Sequence, residues 1–165
     1  MADELTTARL RLRRARMDDL DAIHALMSDP RNMRYWSSPP HETAAQSEEW
    51  LRSMVEADPA VSDDFVIEHE GRVIGKMGCW QMPEIGYMVA ADHIGHGFAS
   101  EALTAFLDRR RRIGTPARIT ADVDPRNTAS LALLARHGFV ETGRARATWV
   151  IAGETCDSIY LALDL

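Results

Sequence analysis

The segment EIGYMVAADHIGHGFASEAL, residues 84–103, contains the residue types and spacing that most clearly indicate chemistry. The segment of residues 85–90 is short and mostly apolar, which is typical of a strand, and from Ala99 onward apolar residues recur at helical spacing. Between them Gly95, Gly97 and Ala99 occupy alternate positions. Such small residues let an anion approach backbone N–H groups, and the helix dipole adds partial positive charge there. The segment therefore predicts a phosphate-binding turn.

Two common phosphate-binding turns do not fit this segment. A Walker loop would end in Gly-Lys-Ser or Gly-Lys-Thr, which is absent, and a G-x-G-x-x-G fingerprint would need glycine where Ser100 stands. The pattern Ile94-x-x-Gly97-x-Ala99 resembles the coenzyme A loop of the GNAT superfamily of N-acyltransferases, R/Q-x-x-G-x-G/A, with Ile94 as its departure. The wider wording G-x-G-F-A-S-E-A-L is similar to the branch that contains the ribosomal-protein alanine N-acetyltransferases.

A second motif follows about thirty residues later. Asn127 and Ser130, followed by Leu133 and by Gly138-Phe139, are similar to the family's second region, N-x-x-S-x-x-L-x-x-x-x-G-F. Each residue also has a structural interpretation, since Asn127 can cap a helix and Gly138 can end one. The two motifs occur in the family's order, each at a predicted strand–helix junction.

The resemblance implies a fold and an activity. The fold is an α/β (α+β) arrangement with a mixed, mostly antiparallel sheet of six to seven strands, helices on both faces, and a central parallel strand pair that splays apart. Residues 1–165 would form a single N-acetyltransferase domain with its coenzyme-binding core at about residues 84–139. The activity is transfer of an acetyl group from acetyl-CoA to a primary amine, either a protein N-terminus or a small molecule, without a metal. The alternative is a non-catalytic coenzyme A-binding sensor or partner-binding module.

The resemblance also assigns coenzyme contacts along both motifs. Backbone groups of Met88 and Val89 would bond the pantetheine arm, which imitates a missing strand. The loop between the strand and the helix would hold the pyrophosphate. Asn127 would orient the pantetheine or Ser130, and Arg136 is the candidate for the 3′-phosphate. The predicted loop contacts are Ile94, Gly95, His96, Gly97, Phe98, Ala99 and Ser100.

Two residues are candidates for the chemical step. Glu84, at the start of the strand that should carry the thioester, is the candidate general base, through a water relay or a raised pKa. Its alternative is a solvated charge at a strand end. The family often has a tyrosine acid at the position of Leu134, so Ser130 would instead donate a hydrogen bond to the departing thiolate. Its alternative is a polar residue that aids helix capping.

The acceptor amine should lie between two aromatic regions. Tyr35 and Trp36 fall in a polar loop, residues 31–40, that borders the acceptor site in the family. Tyr160, on the last strand, would form the opposite wall, with Trp149 and Asp157 nearby. Aromatic residues in such places can line a pocket or simply cover the core.

Composition limits the partners. The chain has 165 residues with a formal net charge of −6, which argues against nucleic acid and would suit a cationic acceptor. No run of 18 apolar residues is present, so we expect no membrane contact. Two cysteines make no disulfide framework, and with no apolar signal core at the N-terminus they indicate the cytoplasm. The family resemblance also allows a homodimer through the last strands.

The elements that must position these residues follow the order β-α-α-β-β-β-α-β-α-β-β. Residues 10–15 alternate apolar and basic side chains and predict an edge strand with one wet face. Thr43 should cap the second helix. Residues 109–112 are four consecutive arginines at a predicted helix C-terminus, where a solvated end is the usual interpretation.

Overall fold

A computed structural model of the chain describes residues 3–165, in which eight strands form one sheet of order β1-β2-β3-β4-β5-β6-β8-β7. Neighbouring strands are antiparallel except β5 and β6, which are parallel. The predicted mixed, mostly antiparallel sheet is therefore confirmed. The strands are β1 Glu4–Thr6, β2 Leu10–Arg13, β3 Asp63–His69, β4 Arg72–Gln81, β5 Glu84–Val89, β6 Arg118–Val123, β7 Val140–Ile151 and β8 Glu154–Asp164.

Five α-helices cover the two faces of the sheet within the described part of the chain. Phe98, Ala102, Leu103 and Phe106 of α4 pack with α5 into a core on one face. Ile23 of α1 belongs to a second core, which α1 forms with α3 on the other face. Helices on both faces are thus confirmed. The helices are α1 Leu20–Met27, α2 Pro30–Met33, α3 Ala44–Val55, α4 Phe98–Ile113 and α5 Thr128–Arg136, and none of them has the length and hydropathy needed to cross a bilayer.

The N-terminal strands differ from the prediction. We expected β2 at the edge of a six- to seven-stranded sheet, but β1 pairs with it through Leu5 opposite Leu12 and makes the eighth strand. The three residues of β1 are too few for a period-2 pattern to be recognised. The expected capping box at Thr43 is present, because Thr43 accepts a hydrogen bond from the Gln46 backbone and Gln46 accepts one in return.

The arginine run at the end of α4 is not uniformly solvated, so that expectation was wrong. Arg109 and Arg110 are buried against Asp63, at 3.0 Å and 2.8 Å. Arg14 adds a third guanidinium at 2.9 Å. Burial opposes ionisation of Asp63, but hydrogen bonds from the three arginines outweigh it and lower its pKa. The run contains two structural cations that a sequence pattern does not separate from its exposed ones.

The parallel pair opens almost as soon as it begins. β5 and β6 pair at Glu84 opposite Thr120, where the Thr120 N–H donates to the Pro83 carbonyl at 3.0 Å. Beyond that point the strands separate. Backbone groups along one edge of β5 are then left without a strand partner, and a gap opens in the middle of the sheet. This is the splayed pair that the sequence predicts.

Candidate active site

A cavity of about 1410 Å³ fills the gap between β5 and β6. Sites for one small ligand usually measure about 300–1000 Å³, so this cavity has room for two substrates together. His96 and Tyr160, predicted as loop and acceptor contacts, lie outside its lining. The predicted site residues that line it are Tyr35, Trp36, Glu84, Met88, Val89, Ile94, Gly95, Gly97, Phe98, Ala99, Ser100, Asn127, Ser130 and Arg136.

One end of the cavity is the N-terminus of α4. Gly95 and Gly97 have φ of 87° and 78°, in the left-handed region that glycine adopts without strain. Gly97 is the N-cap residue of α4 and has no side chain that could accept a hydrogen bond. The N–H groups of the first turn are therefore not capped by it. Arg136 of α5 lines the same cavity. This end can hold a phosphate by backbone N–H groups and the helix dipole.

The glycine loop is held by the turn between β1 and β2. Arg9 donates to the His96 carbonyl at 2.8 Å and to the Glu101 carboxylate from both its backbone N–H and its Nε. Thr7 donates a further hydrogen bond to Glu101 at 2.6 Å. Glu101 thus supports the loop as a structural residue. Sequence analysis missed Arg9, because no local pattern links two segments about ninety residues apart.

The register of β5 determines which backbone groups face the gap. The Ala90 N–H donates to the Ile74 carbonyl of the preceding strand, and Met88 lies opposite Lys76 in the same register. Backbone groups alternate sides along an antiparallel strand. We infer that Met88 bonds β4, whereas Tyr87 and Val89 present their N–H and C=O groups to the gap. The alternation favours Tyr87 and Val89 over Met88 for the backbone contacts to a pantetheine arm.

Two hydroxyl groups meet in the cavity wall. Tyr87 Oη lies 2.5 Å from Ser130 Oγ, and both residues line the cavity. Burial raises the pKa of Tyr87 to about 12, so its hydroxyl keeps its proton at neutral pH. Asn127 caps α5 by accepting a hydrogen bond from the Ser130 backbone. Leu134 is fully buried, and the hydroxyl that contacts Ser130 comes from Tyr87 on β5.

Tyr87 is a candidate site residue that sequence analysis missed. It was interpreted as a strand residue inside an apolar segment, where a tyrosine ordinarily packs. The signal that could have revealed it is the absence of a tyrosine at position 134, which calls for a hydroxyl from another element.

Two acids lie at the opposite end of β5. Glu84 starts the strand at the mouth of the cavity, and partial desolvation of its carboxyl, followed by the charge of Asp122, raises its pKa. Asp122 accepts a hydrogen bond at 3.1 Å from the Trp149 indole N–H. A carboxylate with a raised pKa is a better proton acceptor, so the arrangement suits a general base. Across residues 3–165 no cluster of three or more His, Cys, Asp or Glu side chains could hold a metal ion.

A parallel strand pair that separates beside a glycine-flanked helix N-terminus is the architecture of an acyltransferase that uses a coenzyme A thioester. Residues 9–140 match the acetyltransferase (GNAT) domain family, and the chain belongs to that family. The predicted N-acetyltransferase class is thereby confirmed.

Two curated relatives are N-acetyltransferases by name, and one of the names states an acceptor. An uncharacterized N-acetyltransferase p20 of Bacillus licheniformis is 29% identical over 98% of this chain and 96% of its own. The ribosomal protein uS5 alanine N-acetyltransferase of Escherichia coli is 37% identical over 48% of this chain and 41% of its own. Neither relative supports the alternative of a non-catalytic sensor.

Solved structures share the fold over almost the whole chain. A ribosomal L7/L12 α-N-protein acetyltransferase in complex with coenzyme A has a TM-score of 0.88 at 19% identity, covering 98% of both chains. A spermidine N-acetyltransferase from Vibrio cholerae, in complex with coenzyme A and spermine, has a TM-score of 0.83 at 25% identity, covering 96% of both chains.

Proposed function

We propose that this chain transfers an acetyl group directly from acetyl-CoA to a primary amine, with Glu84 as the base and Ser130, supported by Tyr87, as the hydrogen-bond donor to the leaving thiolate. One observation carries the proposal: the gap beside β5 has an open helix N-terminus at one end, Glu84 at the other, and the Tyr87–Ser130 pair in its wall. We also propose that residues 1–165 act as one domain in the cytoplasm, with residues 84–139 as the coenzyme-binding core.

Acetyl-CoA fits the shape and chemistry of this gap. Along β5, Glu84 and Val89 are five residues apart, or about 17 Å at 3.3 Å per residue. The phosphates would lie on the first turn of α4 and the extended arm along the open edge of β5. The thioester would then lie near Ser130, with a β5 backbone N–H polarising its carbonyl.

Three groups of this chain would act in sequence. Glu84, directly or through a water, takes a proton from the acceptor ammonium and leaves a neutral amine. The amine nitrogen attacks the thioester carbonyl carbon, and the C–S bond breaks as the C–N bond is completed. The Ser130 hydroxyl donates a hydrogen bond to the departing thiolate, and the Tyr87 hydroxyl donates one to Ser130, so both residues keep their protons. Glu84 passes the first proton to solvent. The proton that the attacking nitrogen loses after the C–N bond forms is balanced by protonation of the thiolate from solvent, which gives free coenzyme A thiol.

The first experiment is calorimetric titration of acetyl-CoA and of free coenzyme A into the purified protein, followed by thiol release against a panel of amines and N-terminal peptides. The panel includes spermidine and an alanine-terminated peptide, because such acceptors are named for relatives. Micromolar coenzyme binding with amine-dependent thiol release supports the proposal. Binding without release from any amine contradicts catalysis, and no binding contradicts the assignment of the glycine loop.

A further inference from the structure

All four tryptophans of the chain line this one cavity. They come from different elements: Trp36 from the loop after α2, Trp50 from α3, Trp80 from β4, and Trp149 from β7. Trp80 and Trp149 remain 50% and 42% exposed, although both border a concave site. Large aromatic side chains that lie open in a cavity provide flat apolar surface for a ligand.

Three of these tryptophans come from positions close to Glu84 or Asp122 in the sheet. Trp149 donates its indole N–H to Asp122. The Trp36 ring lies against Gly86, where a Cβ carbon would come within 3.7 Å of its Cη2 atom. Trp80 precedes Gln81, which pairs with Glu84 across the strands. The aromatic surface is therefore concentrated at the Glu84 end of β5, away from the phosphate end.

Two carboxylates at this end have no cationic partner in the described part of the chain. Within residues 3–165 neither Glu84 nor Asp122 forms an ion pair, and the buried Lys76 is paired with Asp64 at 2.8 Å. Lys76 donates to the Gly86 carbonyl, and its Nζ lies 5.7 Å from the Trp36 ring centroid. This contact helps to position the Trp36 indole. The two acids are thus free to attract a cation.

We propose that the acceptor is a small primary amine carried on a flat aromatic ring, whose ammonium group approaches Glu84 and Asp122 while its ring stacks among Trp36, Trp80 and Trp149. The proposal rests on the proposed function and names the substrate class for the same site. An acid directly beside the amine, as in an α-amino acid, would face Glu84 and Asp122 and be repelled. A polyamine would leave the aromatic surface unfilled.

The test compares kcat/KM for matched acceptors in the thiol-release assay with saturating acetyl-CoA. The probes are 2-phenylethylamine, its saturated ring analogue 2-cyclohexylethylamine, phenylalanine, spermidine and an alanine-terminated peptide. We expect 2-phenylethylamine to exceed phenylalanine, spermidine and the peptide by about tenfold or more, and the cyclohexyl analogue by a smaller factor, since stacking adds to burial. Equal or higher values for spermidine or the peptide would overturn the proposal.

Variants of the aromatic surface test the stacking itself. Trp36→Leu and Trp80→Leu should each lower kcat/KM for 2-phenylethylamine by about tenfold, mainly through KM, with less effect on n-butylamine. Tyr160→Leu is the matched control, because Tyr160 is a 37% exposed aromatic residue outside the cavity lining. Unchanged acetyl-CoA affinity shows that each variant is folded. Equal losses for both amines would overturn a stacking role.

Two failures remain distinguishable in these assays. Absence of thiol release from every amine, despite coenzyme binding, contradicts the proposed function. Release that favours an aliphatic amine or peptide leaves the proposed function intact and removes only the aromatic acceptor. Tryptophan fluorescence gives an independent readout, because a ring bound among these indoles should change their emission in the wild type and much less in Trp36→Leu.

Discussion

Removing the Tyr87 hydroxyl tests the contact on which the leaving-group assignment depends. Tyr87→Phe keeps the buried ring and deletes the partner that lies 2.5 Å from Ser130 Oγ. A buried hydroxyl that loses its partner costs about 1–3 kcal/mol. If that cost falls on the transition state, it corresponds to a decrease in rate of about 5- to 150-fold. We therefore expect the chemical step to slow by one to two orders of magnitude.

The assay is single-turnover thiol release with enzyme in excess over acetyl-CoA, so that product release does not limit the rate. Ser130→Ala, Tyr87→Phe and the double variant form a cycle. If the two hydroxyls act as one unit, the double variant loses little more than the worse single variant. Coenzyme affinity by calorimetry should stay within a few-fold in all three, because the phosphate end is untouched.

Two results would refute this reasoning. A wild-type single-turnover rate in Tyr87→Phe would remove Tyr87 from the step. Losses that multiply in the double variant would show that the hydroxyls act independently. The pH profile adds a further requirement: Tyr87, with its pKa at about 12, stays protonated below pH 10, so it cannot cause any loss of rate between pH 7 and pH 10.

Three further predictions concern the base, the core and the loop. Glu84→Gln should lower kcat at neutral pH at least tenfold with coenzyme affinity unchanged. Asp122→Asn should move the acidic limb of the pH–rate profile to lower pH, because Asp122 helps to raise the pKa of Glu84. An unmoved limb would exclude Glu84 as the base. Asp63→Asn removes the carboxylate that the buried Arg109 and Arg110 contact and should lower the free energy of unfolding by about 3–5 kcal/mol in a urea titration, whereas the exposed Asp164→Asn should change it little. The folded-state pKa of Asp63 is lowered, so its contribution is present above the unfolded pKa and is lost as pH falls through the folded value; Asp63→Asn should lack that acid-dependent loss. Gly97→Ala, at φ 78°, should cost about 1–2 kcal/mol and weaken acetyl-CoA binding, whereas Gly114→Ala, also at φ 78° but at the opposite end of α4, should cost stability alone. Equal coenzyme affinity in both variants would argue against the loop assignment.

The sequence predicted the parts of the fold and the site that rest on local patterns. Alternation and helical spacing identified most strands and helices, and the glycines at 95 and 97 identified the helix end where the cavity begins. Asn127 was recognised as a cap because capping depends on one side chain and its own helix. These features depend on neighbours only a few residues away, so the local sequence is sufficient to predict them.

What the sequence did not predict depends on contacts between distant segments. The Arg9 support of the glycine loop, the burial of Arg109 and Arg110, and the meeting of Tyr87 with Ser130 each join residues more than forty positions apart. Tyr160 of β8 was predicted to form the acceptor wall but lies outside the cavity lining, whereas Trp149 of β7 lies within it.

The hairpin of β7 and β8 has a consequence for how this enzyme can diversify. Its Trp149 donates a hydrogen bond to Asp122. The hairpin supplies none of the residues proposed to bind the phosphates, because those residues lie on the loop before α4 and on α5. On the proposed acceptor site, changes near the tip of the hairpin should alter the acceptor while the residues proposed to bind the coenzyme stay the same. We expect an exchange of residues 147–157 between family members to change the acceptor range without loss of coenzyme affinity.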